Sequence, residues 1–268
     1  MDEFEDLFVS GRDGYHTFRI PALAVTTAGT VLAFAEGRRN SDSDTGDIDI
    51  VLRSSTDHGQ SFGELQVVVE GGGNVAGNPA PVVDQETNRI WLPFCRNNAD
   101  GPEDLIWTGE APRTVWLTYS DDDGVTWATP REITSDVKDP AWTWYATGPC
   151  HSIQLRSGRL LVPCDHGIGR RFERHVDSTH SHVILSDDHG ETWRIGGSAQ
   201  EGTNECAAAE LDDGSVYLNM RCCRKKRGSS WESPNRRGFA RSWDGGASFS
   251  EIGWHDELTD PACQGSVI

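Results

Sequence analysis

Residues 120–127 read Ser-Asp-Asp-Asp-Gly-Val-Thr-Trp and contain the pattern Ser-x-Asp-x-Gly-x-x-aromatic, which occurs four times in the chain. We call each copy an aspartate turn. The copies begin at intervals of 65, 66 and 56 residues, at Ser55, Ser120, Ser186 and Ser242. One match to so short a pattern is weak, but four matches at nearly constant spacing predict a chain built from structural repeats.

The residue types of the aspartate turn predict a tight loop between two strands. Ser and Asp side chains bond the backbone of the turn in which they lie, and the glycine supplies a positive φ. The aromatic side chain is expected to fold back and pack beneath the turn. Two strand-like runs around a polar turn precede each copy, as at residues 206–211 and 215–220, and a third strand leads into it. A fourth strand is expected after each copy.

Four strands per repeat, arranged radially, predict an all-β chain with the fold of a β-propeller. We expect residues 1–268 to form one such domain, with about four blades and only short helical turns. A β-sandwich is the structural alternative, although that fold does not need a repeat of constant period. Residues 96–113 and 141–145 are interpreted as loops, and propeller loops on one face carry function while the strands support them.

Composition and charge exclude several classes of function. The 268 residues include 42 acidic and 24 basic ones, which gives a net charge of −18. This charge argues against general nucleic-acid binding and against adsorption to anionic membranes, because both surfaces would repel the protein. No apolar run reaches the 18 residues of a transmembrane helix, and the acidic N-terminus does not have the pattern of a signal peptide.

The metal-ligating residue types do not form a recognisable site in the sequence. Seven cysteines show no C-x-x-C spacing, which predicts buried structural thiols. His175, His180 and His182 lie near one another, but a strand start and a loop separate them, so we expect no metal and no other cofactor. The basic run at residues 224–227 is expected to be a solvated turn rather than a nucleic-acid contact.

Strand pairing is expected to gather charged residues at one end of two hairpins. Opposite residues of an antiparallel hairpin have a constant sum of residue numbers, so Arg19 should face Arg38 and Glu205 should face Arg221. A slip in register would change either expectation. If these strands are the innermost of their blades, three arginines and one glutamate meet near the propeller axis. Clustered arginines are costly unless they bind an anion or pair with acids of neighbouring blades.

Three further segments carry a resemblance to a known family. Residues 15–23 read Tyr-His-Thr-Phe-Arg-Ile-Pro-Ala-Leu, residues 35–47 contain Glu-Gly-Arg-Arg followed by Ser-Asp-Thr-Gly-Asp, and residues 204–221 run from Asn-Glu-Cys to Asn-Met-Arg. Together with the aspartate turns, which resemble Asp boxes, these segments resemble the sialidase (neuraminidase) family. The first resembles its Phe-Arg-Ile-Pro segment, the second its next arginine and acid/base loop, and the third its glutamate and another arginine.

The resemblance implies a reaction and a role for each charged residue. Sialidases cleave terminal sialic acid from glycoconjugates with retention at the anomeric carbon. Arg19 and Arg221 would bind the carboxylate of the sugar, and Arg38 would line the pocket near its 4-position. Asp44 would be the acid/base. Glu205 would polarise a tyrosine nucleophile, which this family uses in place of a second carboxylate.

Some assignments around the expected pocket stay open. Asp42 and Asp47 lie in the same loop as Asp44 and are alternatives for the acid/base. Asn78 lies in a segment that resembles one near the family's pocket. Asp165, with the histidine that follows it, stands at the open end of the third hairpin and is expected to line the pocket.

The chain departs from the family in length. A six-bladed propeller with about 60 residues per blade needs about 360 residues, whereas four repeats use about 240. The resemblance implies that a third arginine and the nucleophilic tyrosine belong to the last two blades, and none of the four tyrosines here lies in a segment that resembles the nucleophile's. We therefore expect the front two-thirds of a sialidase, catalytically incomplete and with exposed strand edges. The alternative function is a non-catalytic propeller that binds sialylated glycans or a protein partner.

Overall fold

The computed structural model describes residues 6–169, 179–222 and 235–268, so His175 and the basic run at 224–227 lie outside the described residues. The described ranges contain two short helices, α1 Glu103–Thr108 and α2 Thr134–Val137. Their strands are β1 Thr17–Val25, β2 Val31–Arg38, β3 Ile48–Ser55, β4 Gln66–Val69, β5 Val75–Gly77, β6 Val82–Val83, β7 Ile90–Asn97, β8 Arg113–Ser120, β9 Arg131–Glu132, β10 Trp144–Thr147, β11 Ile153–Gln154, β12 Leu160–Gly167, β13 Thr179–Ser186, β14 Arg194–Ser198, β15 Thr203–Glu210, β16 Val216–Cys222, β17 Arg236–Ser242 and β18 Gly253–Thr259.

These strands form four successive antiparallel groups, which we call blades 1 to 4. Blade 1 comprises β1 to β4, blade 2 comprises β5 to β9, blade 3 comprises β10 to β14 and blade 4 comprises β15 to β18. A single parallel contact between Ile48 and Val75 joins the first two blades. In each blade the strand that leads into the aspartate turn is β3, β8, β13 or β17, and a further strand follows the turn, as the sequence predicts. Within the described ranges, neither helix is long and apolar enough to cross a membrane.

Three apolar cores lie between neighbouring blades. Alternate side chains of a strand point to opposite faces of its sheet, so one strand can contribute to two cores. On β7, Trp91 packs between blades 2 and 3 whereas Leu92 packs between blades 1 and 2. On β13, Ile184 packs towards blade 2 whereas Leu185 packs towards blade 4. Burial on both faces explains why the central strands are apolar almost throughout, where strands with one solvated face would alternate with polar residues.

Each aspartate turn is closed by the same set of hydrogen bonds. In the third copy, the Ser186 hydroxyl donates to Asp188 at 2.9 Å and accepts from the Gly190 amide at 2.8 Å. The Thr192 hydroxyl donates to the second carboxylate oxygen of Asp188 at 2.6 Å, and the Trp193 indole donates to the Gly190 carbonyl at 2.8 Å. The first three bonds recur in the other copies. The sequence pattern of the aspartate turn therefore has one more defined position than we read from the sequence, a Ser or Thr at its seventh residue.

The aspartate turns also link neighbouring blades. Trp91 of blade 2 donates its indole N–H to the His189 carbonyl in the third turn at 2.8 Å, and the His189 ring contacts Asp84 at 2.8 Å. Gly190, with a φ of 88°, lies so close that a Cβ atom there would approach the Trp91 indole nitrogen to 2.1 Å. The second and fourth turns likewise abut the preceding blade, since a Cβ atom at Gly124 would contact Leu32 and one at Gly246 would contact Leu161.

Two loop assignments need correction. Residues 96–113, interpreted as a loop, contain helix α1, and β7 continues to Asn97. Residues 141–145 were also interpreted as a loop, but β10 begins at Trp144 because it pairs with Gly167 of β12. The Trp144 ring stacks on Trp107 of α1 at 5.5 Å, a tertiary contact that the local sequence does not reveal.

The contact between blades at Gly190 predicts a difference between two glycine substitutions. Gly190→Ala should lower the free energy of unfolding by about 2–4 kcal/mol, because it adds a clash with Trp91 to the cost of a left-handed backbone. Gly214 has a φ of 81° and no atom within 4 Å of an added Cβ, so Gly214→Ala should cost about 1 kcal/mol. Urea unfolding measures both. Equal losses would contradict a packing role for the turn.

Candidate functional site

A cavity of about 360 Å³ lies at the inner ends of the blades. Its lining includes all five residues that the sequence predicted for a site, namely Arg19, Arg38, Asp44, Glu205 and Arg221. They come from β1, β2, the loop before β3, β15 and β16. No residue of the aspartate turns lines this cavity, so the repeats that define the scaffold and the residues predicted to act lie apart.

The first hairpin brings its arginines to the cavity in a register other than the predicted one. The structure pairs Arg19 with Glu36 and Thr17 with Arg38, so the expectation that Arg19 faces Arg38 is wrong by two residues. A bulge between Arg19 and Ala22, with Ile20 at a φ of 56°, accounts for part of the shift. A shift of two residues keeps every side chain on its original face of the sheet, and both arginines therefore still reach the cavity.

Arg38 is buried, and its charge is compensated within the protein. Its Nε and Nη2 atoms donate to Glu36 Oε2 at 3.0 and 2.6 Å. Nη2 also donates to Asp44 Oδ1 at 2.7 Å, and Nη1 donates to the backbone carbonyl of Asp42 at 2.6 Å. Only 2% of the Arg38 side chain is exposed, so these bonds replace the water that the guanidinium has lost.

Asp44 is the loop acid whose carboxylate faces the cavity. Its Oδ1 atom accepts hydrogen bonds from Arg19 at 3.0 Å and from Arg38 at 2.7 Å, while 65% of its side chain stays exposed. The Asp47 carboxylate instead pairs with Arg39 at 3.5 Å. Asp42 and Asp47 are absent from the cavity lining, so the geometry favours Asp44 among the three acids considered from the sequence.

The fourth hairpin supplies the opposite wall. Cys206 pairs with Met220, which agrees with the predicted register. A bulge lies between Thr203 and Cys206, towards the open end of the hairpin. Arg221 Nη1 donates to Glu205 Oε2 at 2.7 Å, and both side chains are partly exposed. This pair is accessible to a ligand in the cavity, unlike the buried pair formed by Arg38.

Arg113 is a cavity residue that our reading of the sequence missed. It is buried at the start of β8, where Nη1 donates to Asn97 at 2.8 Å and Nη2 donates to Asn78 at 2.6 Å. Its guanidinium lies over the Trp144 ring at 4.4 Å from the centroid. Arg113 pairs with Asn97 at the open end of the β7–β8 hairpin, so the argument used for the first and fourth hairpins could have found it.

Asp165 lines the cavity, as the sequence suggested, but the histidine beside it does not. The Asp165 carboxyl is buried, and Trp144 donates its indole N–H to Oδ2 at 2.9 Å. Burial, and secondly the charge of Glu205, raise the pKa of Asp165 to about 8. His166 lies on the other side of the strand, where it stacks beneath Trp142 at 3.6 Å and contacts His182.

The tyrosine nucleophile that the resemblance implies is not found in the cavity among the described residues. All four tyrosines lie in the described ranges, and none of them lines the cavity. The described residues also contain no cluster of three or more metal-ligating side chains. The cavity as described therefore offers the accessible Arg19 and Arg221 to hold an anion near Asp44. Its lining also includes the buried Arg38 and Arg113, together with Glu205, Asp165 and aromatic side chains.

The chain matches one protein family and several curated proteins. A family profile described as a BNR repeat-like domain matches residues 29–263. The chain is 34% identical to an exo-alpha-sialidase of Aspergillus fumigatus, over 95% of this chain and 61% of that protein. It is 36% identical to sialidase-4 of Homo sapiens, over 98% of this chain and 56% of that protein. The chain thus spans about three-fifths of the length of these curated relatives.

A solved structure resembles this chain in both fold and sequence. The Hadza microbial sialidase Hz136 superimposes with a TM-score of 0.81 at 31% identity, and the match covers 95% of this chain and 50% of that one. The sialidase fold is a β-propeller, so the prediction of an all-β propeller is confirmed. The residues predicted for the site keep their roles as predictions, because a shared fold does not by itself assign a function to a side chain.

The two ion pairs of Arg38 should differ in their effect on stability. Glu36→Gln should lower the free energy of unfolding by about 3 kcal/mol, because it leaves a buried guanidinium without its buried counter-charge. Asp44→Asn should cost less than about 1 kcal/mol, since Asp44 is largely exposed and its ion pair is screened by water. Chemical denaturation of both variants tests this. A loss for Asp44→Asn as large as that for Glu36→Gln would contradict the assignment of Glu36 as the structural partner.

Proposed function

Because the chain belongs to the BNR repeat-like domain family, we propose that its cavity is the sugar site of an exo-sialidase, which hydrolyses terminal sialic acid from glycoconjugates with retention. The observation that carries the proposal is the convergence of Arg19, Arg38, Asp44, Glu205 and Arg221 on one cavity. The names of the relatives support the same reaction class. The substrate proposed is a sialylated glycan.

Arg19 and Arg221 are proposed to bind the carboxylate of the sugar. Both side chains are accessible, with 47% and 32% exposed; Arg19 pairs with Asp44, and Arg221 pairs with Glu205. A guanidinium presents parallel N–H donors that match a carboxylate in geometry, and such charge-assisted bonds are stronger than neutral ones. Arg38 is committed to Glu36 and Asp44, which leaves anion capture to the other two. The family resemblance implies that Arg38 lines the pocket near the 4-position of the ring.

Asp44 is proposed to act as acid and base. When the sugar carboxylate engages Arg19, Asp44 Oδ1 loses one of its two donors and keeps Arg38, so the carboxyl stays held beside the glycosidic oxygen. Asp44 then protonates the leaving oxygen in the first step and deprotonates water in the second. The alternatives Asp42 and Asp47 would need the loop to rearrange before their carboxylates reached the cavity.

The proposed nucleophile is a tyrosine polarised by Glu205. The anomeric carbon of a sialic acid bears a carboxylate, which would repel an anionic nucleophile, so a neutral phenol with a glutamate base avoids this cost. No tyrosine of the described residues lines the cavity, so the proposed nucleophile is a residue other than those seen around it. The alternative of a propeller that binds sialylated glycans without chemistry is less favoured, because the relatives are named as sialidases.

Carboxylate recognition by Arg221 gives the first test. Arg221→Ala should weaken the binding of free N-acetylneuraminic acid by about 10–150-fold, the worth of one charge-assisted hydrogen bond of about 1.5–3 kcal/mol. Titration calorimetry measures the affinity. Arg194→Ala is the matched control, because Arg194 pairs with Asp187 outside the cavity and its loss should leave binding unchanged. An affinity of Arg221→Ala within twofold of the parent would refute the assignment.

The role of Asp44 should depend on the leaving group. In the full protein that hydrolyses sialosides, Asp44→Ala should slow cleavage of a natural glycoside by about 10²–10⁴-fold, the usual contribution of general acid–base catalysis. An aryl sialoside with an acidic leaving group does not need the proton, so formation of its glycosyl-enzyme should suffer much less. Pre-steady-state rates are the proper measure, because the second step still requires the base.

The matched control for this experiment is Asp47→Ala, which removes an acid of the same loop. We expect it to slow both substrates little and equally. Equal losses on the two substrates for Asp44→Ala, with a leaving-group dependence for Asp47→Ala instead, would move the acid/base role to Asp47.

A further inference from the structure

Asp165 is a cavity residue to which neither anion binding nor the acid/base step gives a role. Its side chain is 1% exposed, yet the residue lines the cavity next to Glu205 and Arg221. Oδ2 accepts a hydrogen bond from Trp144, whereas Oδ1 has no hydrogen-bond partner among the described residues. A buried polar atom without a partner costs about 1–3 kcal/mol, and such atoms at a cavity are often satisfied when a ligand binds.

The surroundings of Asp165 determine the protonation state of its carboxyl group. Burial and the nearby Glu205 charge raise its pKa to about 8, while the indole N–H and two arginines act in the opposite direction. The carboxyl is therefore protonated at pH 7. The titratable and charged groups that face it are Arg113 on β8, Tyr145 on β10, Cys164 on β12, Glu205 and Cys206 on β15, and Arg221 on β16.

Three of those neighbours, Tyr145, Cys164 and Cys206, are themselves buried. Burial raises the pKa values of Tyr145, Cys164 and Cys206 well above their ordinary values, so these groups stay neutral. The three histidines His166, His180 and His182 lie on the opposite face of the sheet, because strand pairing places Ser181, between two of them, across from Asp165.

The position of the carboxyl is rigid. Its hydrogen-bond donor Trp144 stacks on Trp107, whose ring is parallel at 5.5 Å, and also contacts the guanidinium of Arg113, which lies 4.4 Å from the Trp144 ring centroid. Arg113 is itself held by Asn78 and Asn97. A group whose neighbours are locked by packing discriminates between ligands more sharply than a mobile one, because it does not move to accommodate a poor fit.

We propose that Asp165 is a specificity-determining residue whose neutral carboxyl donates a hydrogen bond to a hydroxyl or carbonyl oxygen of the bound sugar. The inference rests on the proposed function, since it takes a sialic acid as the ligand of this cavity. A carboxylate at this position would instead repel an anionic sugar. A ligand without an oxygen there leaves the Asp165 hydroxyl unpaired, and sites of this kind reject such analogues more strongly than apolar pockets do.

The experiment compares Asp165→Asn and Asp165→Leu with the parent chain, using free N-acetylneuraminic acid as the probe in titration calorimetry. Asparagine has the same shape, accepts the Trp144 bond and keeps a donor, so it should bind within twofold of the parent at pH 6.5. Leucine has a similar shape without a donor and should bind about 3–10-fold more weakly, the worth of one hydrogen bond. Equal affinity of the parent and Asp165→Leu would overturn the inference.

Analogues of the acid that each lack one oxygen identify the accepting group. The parent and Asp165→Leu should bind one of these analogues equally, because an analogue without the accepting oxygen cannot form the hydrogen bond with either protein. This is the signature of a direct contact in a double-mutant cycle. Losses that add independently for every analogue would overturn a direct contact with the sugar.

The pH dependence supplies a measurement that does not need the leucine variant to fold. An acid whose pKa is raised to about 8 keeps its proton below that pH and loses it above, so the parent should bind more weakly as the pH rises from 7 to 9. Asp165→Asn should not show this decline. Lys138, whose pKa burial lowers to about 8, would give a decline in both proteins, and that outcome would overturn the assignment to Asp165.

Failure of the inference can be told from failure of the proposed function. If the parent does not bind N-acetylneuraminic acid at any pH, the proposed function fails and this inference with it. If the parent binds and Arg221→Ala does not, but Asp165→Leu binds as the parent does, then carboxylate recognition stands and only the role of Asp165 is refuted.

Discussion

The ion pair between Arg38 and Glu36 is the interaction on which the arrangement of the cavity depends. It brings a buried positive charge to the inner end of the first hairpin and neutralises it with a buried acid on the same strand. Glu36 also accepts a hydrogen bond from the Asn78 amide, and Asn78 accepts one from Arg113. A continuous network of hydrogen bonds thus runs from blade 1 to blade 2. Loss of any one of these bonds would leave a buried polar group unpaired and lower the stability of the fold.

The same network explains why the more exposed charges are free to act. Since Glu36 satisfies Arg38, Asp44 is not needed to keep the guanidinium stable, and its own side chain remains in contact with solvent. Arg19, paired with Asp44, and Arg221, paired with Glu205, likewise stay accessible. Accessible ion pairs contribute little to folding, and exchanging one partner for a ligand carboxylate therefore sacrifices little stability. The aspartate turns, which pack against neighbouring blades, do not line the cavity.

The sequence predicted the parts of this structure that depend on local chemistry. The aspartate turns, the strands around them and the convergence of the five charged residues follow from repeat spacing, turn residues and resemblance. The register of the first hairpin did not follow, because the constant-sum argument assumes a regular ladder; Pro21, which cannot donate a ladder hydrogen bond, lies within the bulge and was the signal that could have shown it. Trp144 was read as part of a loop, since its strand is stabilised by stacking on Trp107 and by pairing with β12. The donor role of Asp165 could not be read at all, because it arises from burial among residues far apart in the chain.

The central claim is that Arg19 and Arg221 capture the carboxylate of a sialic acid beside Asp44. A crystal structure of the protein with N-acetylneuraminic acid bound tests it most directly. The account predicts carboxylate oxygens within about 3 Å of guanidinium nitrogens of both arginines, with the anomeric centre next to Asp44. An empty cavity at saturating ligand, or a sugar whose carboxylate is turned away from both arginines, would contradict it.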